Sequence, residues 1–157
     1  MREILQMKFV HLFAAVLLLC SAQWAAAQDR GYWRAASKTA ASITGDVTLS
    51  ETKVTINYFS FPLAHIQALK PAEVAALFDA DADTAPEGAL YRLRVSPAQR
   101  FLHKNTLCGS EQVEWMATWV SGKTLSIAFF SGDELPVFTF DAISHSTTLC
   151  GIYLYSR

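Results

Sequence analysis

The chain is poor in the residues and patterns that most often mark an activity. Its 157 residues include 3 Cys, 4 His, 7 Gly and 5 Pro, and only 17% are charged. No His-Glu-x-x-His occurs, so a zinc hydrolase lacks its ligands at helical spacing. No Gly-x-Ser-x-Gly elbow and no glycine-rich phosphate loop occurs either. His65, His103 and His145 stand far apart. Ser144-His145-Ser146 sets hydroxyls beside an imidazole, but adjacent residues of an extended chain point apart. Glu111 and Glu114, three apart on an expected strand, face opposite sides. Lys and Arg form no cluster, which disfavours nucleic acid, because neutralising phosphates needs grouped cations. The sequence therefore nominates no catalytic residue, no cofactor and no metal. A hydrolase with a scattered site is the weakest expectation.

The first 27 residues have a different character. Arg2 and Lys8 precede an apolar run from Phe9 to Cys20, and Ala25-Ala26-Ala27 closes the stretch. A positive start, a short apolar centre and a small-residue exit predict a signal peptide, with Met1 or Met7 as the start. The run is short for a membrane span, which needs about 20 apolar residues. Two alternatives are a lipoprotein acylated at Cys20, disfavoured by Leu19 before it, and an uncleaved anchor. Cleavage leaves residues 28–157 as one domain, bound for the periplasm or the exterior, with no later span. That domain carries 11 Lys and Arg against 13 Asp and Glu.

What is present is strand patterning. Val54, Ile56 and Tyr58 alternate with Thr55 and Asn57; Tyr91, Leu93 and Val95 alternate with Arg92 and Arg94. Val113 to Val120 and Leu125 to Phe129 form the clearest hairpin, turned by Ser121-Gly122-Lys123. Tyr32–Ser37, Ile43–Leu49, Leu63–Leu69, Phe101–Leu102, Val137–Phe140 and Thr148–Tyr155 are the other candidates, from which about eight or nine short strands are expected. Pro62 marks an edge or a kink. One helix is expected, Pro71–Phe78, with proline at its first position and Glu73 at its positive end. The expected fold is a mainly β antiparallel barrel, closed because closure removes aggregation-prone edges; a β-sandwich is the alternative.

Thr-Leu-Cys-Gly occurs twice, at Thr106–Gly109 and Thr148–Gly151. Two cysteines in an exported chain predict a Cys108–Cys150 disulfide. Chain-entropy reasoning gives such a loop about 4 kcal/mol. Free thiols are the alternative; zinc lacks paired ligand spacing.

Gly31-Tyr32-Trp33 near the expected mature start resembles the Gly-x-Trp signature of the lipocalins and related calycin barrels. The resemblance implies that Trp33 sits on the first strand at a closed end, with a late arginine packed over it. Arg157 is the candidate. The Thr-Asp-Tyr motif of the lipocalins is missing, and the chain is shorter than most of them. The chain also resembles small exported proteins of Gram-negative bacteria.

Three groups of residues are candidates for binding. Trp33, Trp115 and Trp119 can line an apolar pocket inside a barrel or simply fill it. Asp79, Asp81 and Asp83 resemble the start of a calcium loop. Thr84 and Leu90 occupy the places where that loop wants Gly and Glu, so a solvated acidic loop is the expected reading. With Tyr153 and Tyr155, expected to face outward, these aspartates form a candidate partner surface. The expected function is a non-enzymatic exported barrel that binds a small apolar ligand or an envelope protein. The alternative is a periplasmic inhibitor of a lysozyme-like enzyme, with the acidic loop complementing a basic partner.

Overall fold

A computed structural model describes residues 28–157, so the signal-peptide expectation for residues 1–27 lies outside the described residues. Nine strands form one antiparallel sheet: β1 (Gly31–Ala35), β2 (Val47–Leu49), β3 (Lys53–Ile56), β4 (Phe59–Pro62), β5 (Ala64–Leu69), β6 (Gly88–Val95), β7 (Val113–Ser121), β8 (Thr124–Ser131) and β9 (Leu149–Ser156). Their order is β4-β3-β2-β1-β9-β8-β7-β6-β5. Every neighbour is next in sequence except β1 and β9, which pair through Arg34 with Ser156 and Ala35 with Tyr155.

The sheet is not closed. Its two edges, β4 and β5, are consecutive in the chain and separated only by Leu63, yet no ladder joins them. The expected closed barrel thus gives way to an open sheet, in keeping with the sandwich alternative. The local reason is legible: β4 is four residues long and ends on Pro62, which has no N–H to donate. A bulge between His65 and Gln67 further interrupts the β5 side.

Two apolar clusters lie on opposite faces of the sheet. The inner one takes Trp33, Val54, Ile56, Tyr91, Met116, Leu125, Ile127, Phe129, Tyr153 and Tyr155. The outer one takes Leu69, Leu90, Trp115, Ala117, Ala128 and Phe130, and it is roofed by Val74, Leu77 and Phe138. Strands β6 to β8 are therefore buried on both sides. At Gly88 the packing leaves no space for a side chain: an added Cβ would sit 2.6 Å from the Thr118 carbonyl oxygen.

Three helices accompany the sheet among the described residues: α1 (Lys38–Ile43), α2 (Pro71–Phe78) and α3 (Phe140–Ser144). Helix α2 is the one expected from sequence; Lys70 N donates to Glu73 Oε2 at 2.8 Å, which satisfies its entry. The other two are unexpected: α1 takes in only Ile43 of an expected strand and α3 only Phe140, and a hydroxyl caps each start. Ala40 N donates to Ser37 Oγ and Ala142 N to Thr139 Oγ1, both at 3.1 Å. Ile43 thus ends a helix, and Val137 to Phe140 leads into one. The expected strand at Phe101–Leu102 is instead a tight turn through Leu102–Lys104, in which His103 and Lys104 take positive φ.

Candidate functional site

The disulfide joins Cys108 to Cys150, with Cα atoms 4.9 Å apart at a sequence separation of 42. It fastens β9, the strand that links the two halves of the sheet, to the segment before β7.

The candidate aromatics separate. Trp33 belongs to the inner cluster, whereas Trp115 and Trp119 share the outer face. No common chamber brings the three together. Strand β7 is apolar on both faces, so alternation alone could not say which face looks inward. Trp119 stacks on Phe78 of α2 at 5.9 Å. Tyr153 and Tyr155 correct the expectation of an outward pair: both are fully buried, and Leu154 between them is the exposed residue. The Tyr155 hydroxyl meets Thr44 Oγ1 at 2.7 Å, which allows a phenol to be buried. Burial pushes the Tyr153 phenol up to about 12. Asp79, Asp81 and Asp83 lie on the exposed loop after α2, where Asp81 Oδ1 accepts from Asp83 N at 2.9 Å in a local turn.

At one end of the sheet, a polar network fixes the residues that follow the expected cleavage point. Asp29 is buried; one of its carboxylate oxygens accepts from Tyr91 Oη at 2.7 Å and from Thr118 Oγ1 at 2.8 Å. The Asp29 carbonyl accepts from Trp33 Nε1 at 2.8 Å. The Arg157 guanidinium packs 4.3 Å from the Trp33 ring centre and donates to the carbonyls of Gln28 and Arg30. Residues 28–30 and the late arginine thus meet on this tryptophan.

The most developed surface lies elsewhere, at the loop between β8 and α3. Sequence reasoning missed its anchor, Arg92. Arg92 Nη2 donates to Glu114 Oε2 at 2.6 Å and to Asp133 Oδ1 at 3.2 Å, and Nη1 donates to the Asp133 carbonyl at 3.2 Å. The same guanidinium lies 4.3 Å from the Trp115 ring centre, and Trp115 Nε1 donates to the Gly132 carbonyl at 2.9 Å. Glu114 reaches this network because it is an extra residue on β7: Val113 pairs with Ser131 and Trp115 with Phe130. Gln112 also bonds its carboxylate. Phe138 pins the far end, edge-on to Phe130 at 5.8 Å. Between these fixed points Leu135 and Val137 are 47% and 62% exposed, and just past them Phe140, which opens α3, is 66% exposed. They stand at or beside a cleft of about 390 Å³ that also takes in Ile143, His145 and Thr148.

This cleft does not assemble a nucleophile. Ser144 and His145 lie at the end of α3 rather than on a strand, so the hydroxyl does reach the ring, at 3.1 Å. It reaches Nδ1, the same nitrogen that the Asp141 carbonyl approaches at 2.9 Å and the Asp141 carboxylate at 3.5 Å. A relay needs base and orienting group on different nitrogens. His65 packs edge-on to Tyr91, and His103 faces the Ser42 carbonyl; neither joins this site. Among the described residues no group of three or more His, Cys, Asp or Glu is placed to hold a metal. What remains is a fixed loop presenting apolar side chains among acids.

Comparison with known proteins adds no relative. No family model, no curated protein and no solved structure matches the chain. The reading of this site rests on its own geometry.

Proposed function

We propose that this chain is an exported, non-enzymatic binding protein that holds a basic protein partner on the loop Gly132–Thr139 and α3. The observation that carries this reading is the exposure of Leu135 and Val137 on a loop anchored at both ends, with Phe140 exposed at the start of α3 beside it. Large apolar groups on a preorganised surface favour binding because little ordering cost remains. From Gly132 to Ser146 the chain has Asp133, Glu134 and Asp141 but no Lys or Arg, which suits a cationic partner. An apolar ligand inside the sheet is less well supported, since Trp33, Tyr91, Phe129, Tyr153 and Tyr155 occupy the inner cluster. The Cys108–Cys150 bridge supports an oxidising destination, and among the described residues no helix is long and apolar enough to cross a membrane. A calycin-like ancestry is supported by Trp33 and the Arg157 packed over it.

The test is capture of envelope proteins on the immobilised, oxidised chain. Val137→Asp with Phe140→Asp should abolish capture of the specific partner, while neutralising Asp79, Asp81 and Asp83 should weaken it less. Capture indifferent to Val137 and Phe140 overturns the reading. The acidic surround also favours a narrower version, inhibition of a lysozyme-like enzyme. Undiminished lysis of cell walls by a basic lysozyme, with the chain in molar excess over the enzyme, removes that version.

A further inference from the structure

A second surface, on the opposite half of the sheet, has different chemistry. Facing residues on β1 to β4 run Tyr32, Thr48, Thr55 and Ser60 in one row across four strands. Directly opposed residues of an antiparallel pair share a face, so these hydroxyls stand side by side, spaced by the strand separation of about 4.8 Å. Their chain neighbours Trp33, Val47, Leu49, Val54 and Ile56 are buried, which sets the row on the outer face. Thr55 Oγ1 and Ser60 Oγ are 2.8 Å apart.

A cleft of about 350 Å³ opens beside this row. At one end Asp46 accepts from the Tyr32 hydroxyl and, at 2.8 Å, from Ala35 N. These two bonds hold its carboxyl below the usual range, so it stays an ionised acceptor at neutral pH. At the other end are Asn57 and Tyr58, with φ of 46° and 72°. A two-residue hairpin turn of this kind is normally Asn-Gly, because glycine takes positive φ freely. Here a tyrosine occupies the glycine place, and its ring is 96% exposed. Among the described residues no packing accounts for that choice.

We propose that this cleft is a binding site for a neutral saccharide. A sugar ring offers a C–H face to stack on an aromatic plane and a rim of hydroxyls that both donate and accept. Tyr58 supplies the plane. Thr48 and Thr55 supply groups that donate and accept, Asn57 an amide that does both, and Asp46 a fixed acceptor. Other ligand classes fit worse. Asp46 repels anions, a single carboxylate does not make a metal site, and a polar row wastes the burial an apolar ligand needs. The site is independent of the loop Gly132–Thr139 and of the partner proposed there.

The test is an array of neutral oligosaccharides, built from glucose, mannose, galactose and N-acetylglucosamine, probed with the oxidised full chain. Saturable retention on at least one of them is expected. Tyr58→Gly should weaken it by about tenfold or more, equivalent to roughly 1.4 kcal/mol. That variant relieves the turn, so its fold and melting temperature should be preserved, separating loss of stacking from loss of structure. Thr48→Val with Thr55→Val should weaken retention similarly, and Val137→Asp with Phe140→Asp should leave it unchanged. Retention of no neutral glycan overturns the proposal. So does retention indifferent to Tyr58 and the threonines, or a Tyr58-dependent contact with a protein alone.

Discussion

The two halves of the sheet are built from the same kind of strand but meet water differently. On β6 to β8 both faces are buried, one in the inner cluster and one beneath α2 and α3. On β1 to β3 one face is buried and the other carries hydroxyls to solvent. The difference shows in the sequence. Val113 to Val120 is a nearly unbroken apolar run, whereas Val47-Thr48-Leu49 and Val54-Thr55-Ile56 alternate cleanly. It also sorts the surfaces by chemistry. The covered half gives up its outer face to packing and exposes apolar side chains on a loop. The bare half keeps a flat polar face available to ligand.

The largest expected effect comes from breaking the covered half. Trp115→Ala should cost about 3–5 kcal/mol in chemical denaturation, since it empties a core site beneath Arg92 and frees the Gly132 carbonyl. A cost under about 1 kcal/mol would mean that the outer layer is decorative. Next is the strand shared by both halves. Cys108→Ser should cost about 2–5 kcal/mol, and peptide mapping without reductant should recover Cys108 and Cys150 in one linked fragment. A gentler perturbation is alkali. Burial raises the Tyr153 phenol from 10.0 to about 12, and it raises Tyr91 and Tyr155 as well. The folded state therefore keeps protons that the unfolded chain releases. This stability is complete below about 10 and is lost as pH rises through about 12. Denaturation midpoints that do not fall with phenolate absorbance in that range would contradict the burial of these rings. The smallest effect is expected on the bare half: Thr48→Val should change stability by less than about 0.5 kcal/mol, because Thr48 is exposed. A larger loss would show that this face is structural.

Much of the fold was legible in local pattern. The β7–β8 hairpin, helix α2, the edge at Pro62 and the cysteine pairing follow from alternation, capping chemistry and spacing. The choice of face was not. Alternation places Tyr153 and Tyr155 together but does not say whether they or Leu154 look inward; the hydroxyl of Thr44, more than a hundred residues away, helps decide it. Helix α3 was hidden because Val137-Phe138-Thr139-Phe140 alternates like a strand. Thr139 followed by Asp141 was the available cap signal. The Arg92 anchor had no local signal at all, since Glu114 and Asp133 lie 22 and 41 residues away. The hydroxyl row was present in the sequence as scattered Thr, Ser and Tyr and became one feature only through strand register.

The central claim is that partners meet the covered half at the anchored loop. The direct measurement is site-specific photocrosslinking in the envelope of the source cell, with the crosslinker at Val137 and, in parallel, at the solvent-facing Lys53 of the bare half. A discrete protein adduct is expected from Val137, removed by Phe140→Asp, and none from Lys53. The same adducts from both positions, or no adduct from Val137, would contradict the claim.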